Sequence, residues 1–201
     1  MIGIINYGLG NVQSFINSFK VLGISAISIS NKDQLKRIDR LILPGVGSFD
    51  SAIRKFNNSG LRDDIEDLVF NNNLPIMGVC IGMQIMANSS SEGDLSGLGW
   101  INGEVEIIDQ KNSLILPHMG WNEIKVEKEN AKLFSNLPSK RFYFLHSYHF
   151  VTNQKSSKIA YVNYGEDILA AISKNNIYGC QFHPEKSHSA GLSVLKNFAN
   201  L

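Results

Sequence analysis

The sequence predicts an α/β fold: an open, mostly parallel sheet flanked by helices, with an added layer of antiparallel strands in its second half. Three observations carry this. Over the first 90 residues, short apolar runs alternate with stretches whose apolar residues recur at helical spacing, the β-α-β-α order of a parallel sheet covered on both faces. Beyond residue 100 the pattern becomes six short strand-like runs with short turns between them, the spacing of antiparallel or mixed pairing. The chain has 201 residues, 43% hydrophobic and 18% charged, which supports one sizeable core. With no internal repeat and no linker-like stretch, residues 1–201 are expected to form a single domain.

Residues 1–6 read as a short buried strand. Residues 11–22 form a helix, with Val12, Phe15, Ile16, Phe19 and Leu22 on one face. Residues 24–29 are β-branched and alternating, a second strand. Residues 41–43 make a brief strand stopped by Pro44-Gly45, and residues 49–56 and 61–70 are helical. A buried strand over 74–79 runs into a helix over 81–87. In the second half, strands are expected at 103–108, 123–126, 141–145, 159–163, 169–173 and 177–182, and a last helix at 190–199. The Asn- and Ser-rich patches at 71–73 and 89–91 are short enough to be loops.

Composition narrows the function classes. A formal net charge of +1 gives no field that calls for nucleic acid or a membrane surface. No apolar run approaches the ~20 residues of a membrane span, and the N-terminus, MIGIINYGLG, lacks a basic n-region and a small-residue cleavage site. A reducing cytoplasm is the expected compartment, where a disulfide between the two cysteines, Cys80 and Cys180, is not expected. Neither cysteine sits in a metal-ligand pattern. The short His spacings, 146/149 and 183/188, do not by themselves make a zinc site. No metal and no cofactor are expected.

The strongest local signal is Pro75-Ile-Met-Gly-Val-Cys80-Ile-Gly82-Met-Gln84. A nucleophile placed where a buried strand turns sharply into a helix is held in strained backbone geometry, and glycines two residues either side let neighbouring segments close in. The helix N-terminus favours the thiolate, and the Ile81 N–H lies where an oxyanion would develop. A plain core cysteine is the alternative. A nucleophilic Cys needs a base. His183, in Gln181-Phe-His183-Pro-Glu185-Lys186, follows an apolar strand at the carboxyl edge where open α/β sheets build their sites. Glu185, past a rigidifying Pro184, can accept the second imidazole N–H and set the tautomer. Cys180, in the strand before it, reads as a core thiol. Leu43-Pro44-Gly45-Val46-Gly47-Ser48 also joins a strand to a helix, and its Val46–Gly47 segment can turn a backbone N–H into the site as a second oxyanion donor. No Walker Lys follows it. The Tyr7-Gly-Leu-Gly-Asn11 loop lacks the full G-x-G-x-x-G of a dinucleotide site.

Taken with Pro117-His-Met-Gly-Trp-Asn122 and His146-Ser-Tyr148, these blocks span essentially the whole chain in order. In this the sequence resembles the class I (triad) glutamine amidotransferases, and more narrowly the glutaminase subunits of imidazole glycerol phosphate synthases. The resemblance implies a flavodoxin-like glutamine amidotransferase fold. It implies that Cys80 attacks the side-chain carboxamide of glutamine, that His183 moves the protons and that Glu185 orients it, giving a glutamyl thioester and ammonia. It places Val46, Gly47 and Ile81 at the oxyanion hole, and Gln84, Glu92, His146, Ser147 and Tyr148 around the substrate. Asn11, Trp121 and Asn122 fall on the surface that docks a HisF-like (β/α)8-barrel cyclase subunit, in a heterodimer that receives the ammonia through a tunnel for histidine biosynthesis. Two features, Tyr178-Gly179 and Ser187-His188-Ser189, resemble instead a paralogous branch that feeds ammonia to a similar barrel for amination or amidination of surface-polysaccharide sugars. A Cys-His peptidase on the same architecture and a non-catalytic assembly subunit are the readings of other kinds.

Overall fold

The computed structural model describes residues 1–110, 114–127 and 132–201. In chain order the first half forms β1 (Ile2–Ile5), α1 (Val12–Val21), β2 (Ala26–Ile29), α2 (Lys32–Leu35), β3 (Arg40–Gly45), α3 (Phe49–Asn58), α4 (Arg62–Phe70), β4 (Ile76–Cys80) and α5 (Ile81–Gln84). The second forms β5 (Ser89–Ser90), β6 (Glu104–Ile107), β7 (His118–Val126), β8 (Arg141–His146), β9 (Tyr148–Val151), β10 (Lys158–Tyr164), β11 (Glu166–Lys174), β12 (Ile177–Cys180) and α6 (His188–Ala199).

The apolar runs of the first half become strands buried along their length: every residue of β1 and β4 is buried, as a sheet with both faces covered requires. Nine strands form one sheet in the order β2-β1-β3-β4-β12-β11-β10-β7-β8. β2, β1, β3, β4 and β12 run parallel, and β11, β10, β7 and β8 continue antiparallel. The antiparallel strands thus mostly extend the parallel sheet, and only β5-β6-β9 form a separate small sheet. The pairing of β12 with β4 brings the ends of both strands together: Cys180 lies opposite Val79, one residue before Cys80. Two sequence segments about 100 residues apart meet there at the carboxyl edge of the parallel strands, where open α/β sheets place their sites.

Several boundaries differ from expectation for identifiable reasons. α5 stops at Gln84 rather than continuing to residue 87. Met86 and Ala87 N–H turn to Met83 O and Gln84 O, three residues back instead of four, which ends the α-helix, and Leu98, Gly99 and Ile101 then donate to the freed carbonyls of Ile85, Ala87 and Met86. A one-turn helix has few aligned peptides, so its dipole adds little beneath the Cys80 sulfur. β7 begins at His118, five residues earlier than expected, because Gly120 (φ 131°) breaks the alternation by which a strand is read. β12 ends at Cys180, and Gln181 and Phe182 run on as connection, with His183 N–H donating to Tyr143 O across to β8. β5, expected as loop, is two serines paired to β6, and β9 follows β8 after a single residue, Ser147, where the chain changes sheets. α2 was not expected at all.

Candidate active site

Cys80 closes β4 and opens α5 with φ 54° and ψ −115°, a conformation that costs a non-glycine residue about 1–3 kcal/mol. Three glycines make that turn possible by close approach. A Cβ on Gly82 would lie 1.9 Å from Leu43 O, one on Gly78 2.5 Å from Gly82 O, and one on Gly45 2.3 Å from Gly82 N. β3, β4 and the elbow are packed backbone to backbone, and any side chain there would push the nucleophile out of place.

His183 lines the same cavity as Cys80, and its Nδ1 donates to Glu185 Oε1 at 2.9 Å. The side chains of His183 and Glu185 are buried, at 4% and 3% exposure. Burial disfavours a charged imidazole here, but the hydrogen bonds and charges of Cys80 and Glu185 outweigh it and push His183 up to about 10. His183 therefore favours its protonated form in this site, the form that can pass a proton to a leaving group. Gln181 Nε2 points an N–H at Cys80 Sγ, 3.7 Å away. Cys180 is fully buried, and burial first of all pushes its thiol up, so it stays an inert core thiol.

The triad opens on a cavity of about 300 Å³. Val46, Gly47 and Ile81, expected at the oxyanion hole, line it, as do Gln84, Glu92, His146, Ser147 and Tyr148, expected around a substrate. Gly47 takes φ 91°, with open space where a Cβ would be, and Val46 is 42% exposed. The base of this loop is pinned: the buried Tyr7 hydroxyl donates to Pro44 O at 2.7 Å. Burial first, and then Cys80, raise the Tyr7 phenol, so it keeps that proton. Tyr7 belongs to the glycine loop that offered no dinucleotide site, and its role is to hold the strand before Val46–Gly47.

Glu92 Oε2 accepts from Phe49 N–H at 2.8 Å, capping α3 where Ser48 makes no side-chain cap, and among the described residues no hydrogen bond is made by its Oε1. His146 lines the cavity, but both its ring nitrogens are taken, Nδ1 by Tyr148 O at 2.9 Å and Nε2 by His118 Nδ1 at 3.0 Å. It shapes the wall rather than offering a ring nitrogen to substrate. Three residues that sequence reasoning assigned no role also line the site: Pro117, Leu145 and Lys186. Lys186 follows Glu185 directly, and its Nζ stands 5.7 Å from the Tyr143 ring centroid.

Of the residues expected at a partner surface, exposed Asn11 caps α1 through a bond from Ser14 N–H. Half-buried Trp121 stacks on exposed His188 with ring centroids 4.9 Å apart. Ser14, Lys186 and His188 line one surface depression, so Asn11 and Trp121 flank the same face. Asn122 is half-buried, and its Nδ2 donates to His118 Nε2 at 2.7 Å. Among the described residues no group of three His, Cys, Asp or Glu is placed to hold a metal ion, and no helix is long and apolar enough to cross a membrane.

The buried histidines give the fold a specific acid sensitivity. Burial lowers His118 to about 4 and His146 to about 3. An unfolded chain protonates both from about pH 6.5 down, while the folded chain does not, so stability present above about 6.5 is lost as pH falls towards 4. His183 has the opposite sign: its contribution is complete below about 6.5 and is lost only as pH rises through about 10. Asp33 and Asp39 are lowered by their bonds to Lys36 and the N-terminal ammonium, and their contributions go only below 3.8. The denaturant midpoint is therefore expected to fall steadily between about pH 6.5 and 4.5; a flat profile across that window would contradict buried neutral His118 and His146.

Comparison with known proteins agrees with this geometry. Residues 3–200 match the family described as glutamine amidotransferase class-I. Over the full length of both chains, the protein is 48% identical to imidazole glycerol phosphate synthase subunit HisH of Leptospira borgpetersenii. The HisH subunit of Bdellovibrio bacteriovorus is 44% identical, and a protein named subunit HisH 2 in Pseudomonas aeruginosa 38%, each again over 100% of both chains. The fold resembles that in a crystal structure of a glutamine amidotransferase, with TM-score 0.76, 20% identity and 98% of each chain covered. It also resembles a structure of PurLQS from Thermotoga maritima, with TM-score 0.73, 19% identity, and 99% of this chain and 97% of that one covered.

Proposed function

Because the chain belongs to the class-I glutamine amidotransferase family, we propose that it is the glutaminase subunit of an imidazole glycerol phosphate synthase. In this reading it releases ammonia from glutamine at Cys80 for a separate barrel subunit. The observation that carries the chemistry is the meeting of Cys80, at a strained elbow, and the buried, hydrogen-bonded His183–Glu185 pair at one cavity lined by the Val46–Gly47 loop. The relatives' shared name, over the whole chain at up to 48% identity, carries the pathway.

The residues define the steps. The Cys80 thiolate attacks the side-chain carbonyl carbon of glutamine. The C–N bond then breaks as the His183 imidazolium gives its proton to the leaving nitrogen, so ammonia departs and a glutamyl thioester remains. A water, giving its proton to the now neutral His183, attacks the thioester; glutamate leaves and the imidazolium–thiolate pair is restored. The oxyanion of each tetrahedral stage faces N–H groups of Ile81 and the Val46–Gly47 loop, where such donors are worth several kcal/mol. Glu92 Oε1 suits the α-ammonium of glutamine.

A glutaminase that feeds a partner works usefully only when the partner is ready, so low activity alone and stimulation by the ligand-bound barrel are expected. Exposed Val46 and Leu145 at the cavity, with exposed Met119 paired to Leu145 across β7 and β8, give a partly apolar rim for that barrel to cover. The pathway is tested by complementation. In a bacterial strain lacking its own glutaminase subunit, this chain co-expressed with its native barrel partner should restore growth without histidine. No growth, with glutaminase activity intact in the purified pair, would overturn the histidine assignment and favour the sugar-modifying branch.

A further inference from the structure

Buried polar groups tie the cavity wall to the β7–β8 pair, and their donor and acceptor roles follow from one atom. A carbonyl only accepts, so at Tyr148 O both His146 Nδ1 (2.9 Å) and Gln84 Nε2 (2.8 Å) must carry hydrogen. A neutral His146 then has a bare Nε2, which takes the hydrogen on His118 Nδ1 at 3.0 Å. That leaves His118 Nε2 bare, and Asn122 Nδ2 donates to it at 2.7 Å. In the other direction, the second amide hydrogen of Gln84 goes to Gln181 Oε1 at 2.9 Å. This turns Gln181 Nε2 towards the Cys80 sulfur at 3.7 Å. Among the described residues, Gln84 Oε1 is buried and finds no hydrogen-bond partner, in a residue that lines the cavity.

Both histidines are thereby held as Nδ1–H tautomers. His118 and His146 are 1% and 6% exposed, and Gln84 and Gln181 are fully buried, so no bulk water is available to reverse a member of the series. His118 is clamped between the rings of Phe144, 4.7 Å away, and Tyr164, 4.0 Å away. The cross-strand register His118↔His146 sets the distance between the imidazoles.

We propose that His118 and His146 are positioning residues: a fixed Nδ1–H relay that holds the Tyr148 carbonyl and, through it, turns the Gln84 and Gln181 amides so that glutamine meets an acceptor and the sulfur meets a donor. The kinetic part of this proposal rests on the glutaminase reading; the tautomers do not. Were Gln84 reversed, its oxygen would face Tyr148 O and Gln181 Oε1, and the cavity would present a donor instead.

Two measurements test the relay. Long-range ¹H–¹⁵N correlation spectra of the ¹⁵N-histidine-labelled chain at about pH 7.5 should show His118 and His146 as neutral Nδ1–H tautomers, the minority form in free imidazole. An Nε2–H tautomer or an imidazolium at either position overturns the relay. In the glutaminase assay of the complex, His118→Phe keeps the stack between Phe144 and Tyr164 but removes the donor, whereas His118→Asn places an amide N–H near where Nδ1 stood. His118→Phe is expected to raise KM for glutamine about tenfold, the scale of one lost hydrogen bond, with kcat changed less, and His118→Asn to recover most of it. An unchanged KM in His118→Phe, or no difference between the two variants, defeats the positioning role while leaving the glutaminase reading in place. Absence of glutamine hydrolysis by the unmodified complex would defeat that reading and leave the tautomer result standing.

Discussion

Cys80→Ala is expected to lower glutamine-dependent turnover by about 10⁴-fold or more while ammonia-dependent synthesis by the barrel partner continues at its normal rate. The magnitude follows from removing the atom that forms the covalent bond. In a unit of nucleophile and base, losing the nucleophile alone costs about as much as losing the whole unit. The persistence of ammonia-driven synthesis follows from the structure. Among the described residues the Cys80 side chain makes two long hydrogen bonds, to Leu145 O at 3.8 Å and from Gln181 Nε2 at 3.7 Å. The elbow is built by the glycine packing of Gly45, Gly78 and Gly82, which the substitution does not touch. Measurement of glutamate release and of ammonia-supported product in the same preparation separates the two arms. Retained glutaminase activity would remove Cys80 from the mechanism, and loss of the ammonia arm would mean that the substitution damages assembly instead.

Glu185→Gln is expected to lower kcat/KM for glutamine by up to about 10⁴-fold, the scale of replacing a triad carboxylate by its amide. The side chain keeps its shape and can still reach His183 Nδ1, so position alone does not account for the loss. The charge does. Glu185 is one of the two groups that overcome burial and keep His183 protonated. Without it, less opposes the burial that disfavours the imidazolium, and the ring holds its proton less tightly. The sign for pH follows. His183 must hold a proton to give to the departing nitrogen, so activity falls on the alkaline side as His183 loses that proton. Removing the carboxylate lowers the affinity for that proton, and the alkaline limb of the rate profile should move to lower pH. A pH–rate series on wild type and variant measures this; an alkaline limb that stays in place would show that Glu185 only orients the ring.

The parts of the site legible in the sequence are those built from contiguous residues. The Gly78-Val-Cys80-Ile-Gly82 elbow and His183-Pro-Glu185 carry their geometry in a few neighbouring positions, because close backbone approach demands glycine and a two-residue reach fixes the carboxylate against the imidazole. That the two would meet was legible from the carboxyl ends of parallel strands, and the β4–β12 pairing delivers it. The relay was not legible. It depends on the register of β7 against β8 across 28 residues and on a sheet-changing corner at Ser147, and neither leaves a periodic pattern. Gln181 sat inside a recognised block yet received no role, since only the fold shows that its amide faces Cys80. Tyr7 was weighed as part of a nucleotide loop, while its hydroxyl serves a carbonyl 37 residues away. α2 did carry a signal, Asn31 and Gln34 at capping-box spacing, in an element of only four residues without an apolar face to draw attention to it.

The central claim is covalent: glutamine becomes a glutamyl thioester on Cys80. The most direct measurement is intact-protein and peptide mass spectrometry after rapid acid quench of the complex turning over glutamine. A mass increment of one glutamyl group on the peptide containing Cys80, absent from the Cys180 peptide and absent in Cys80→Ala, is the result this mechanism predicts. Turnover of glutamine with no adduct on Cys80 under any quench time, or an adduct on another residue, would contradict it.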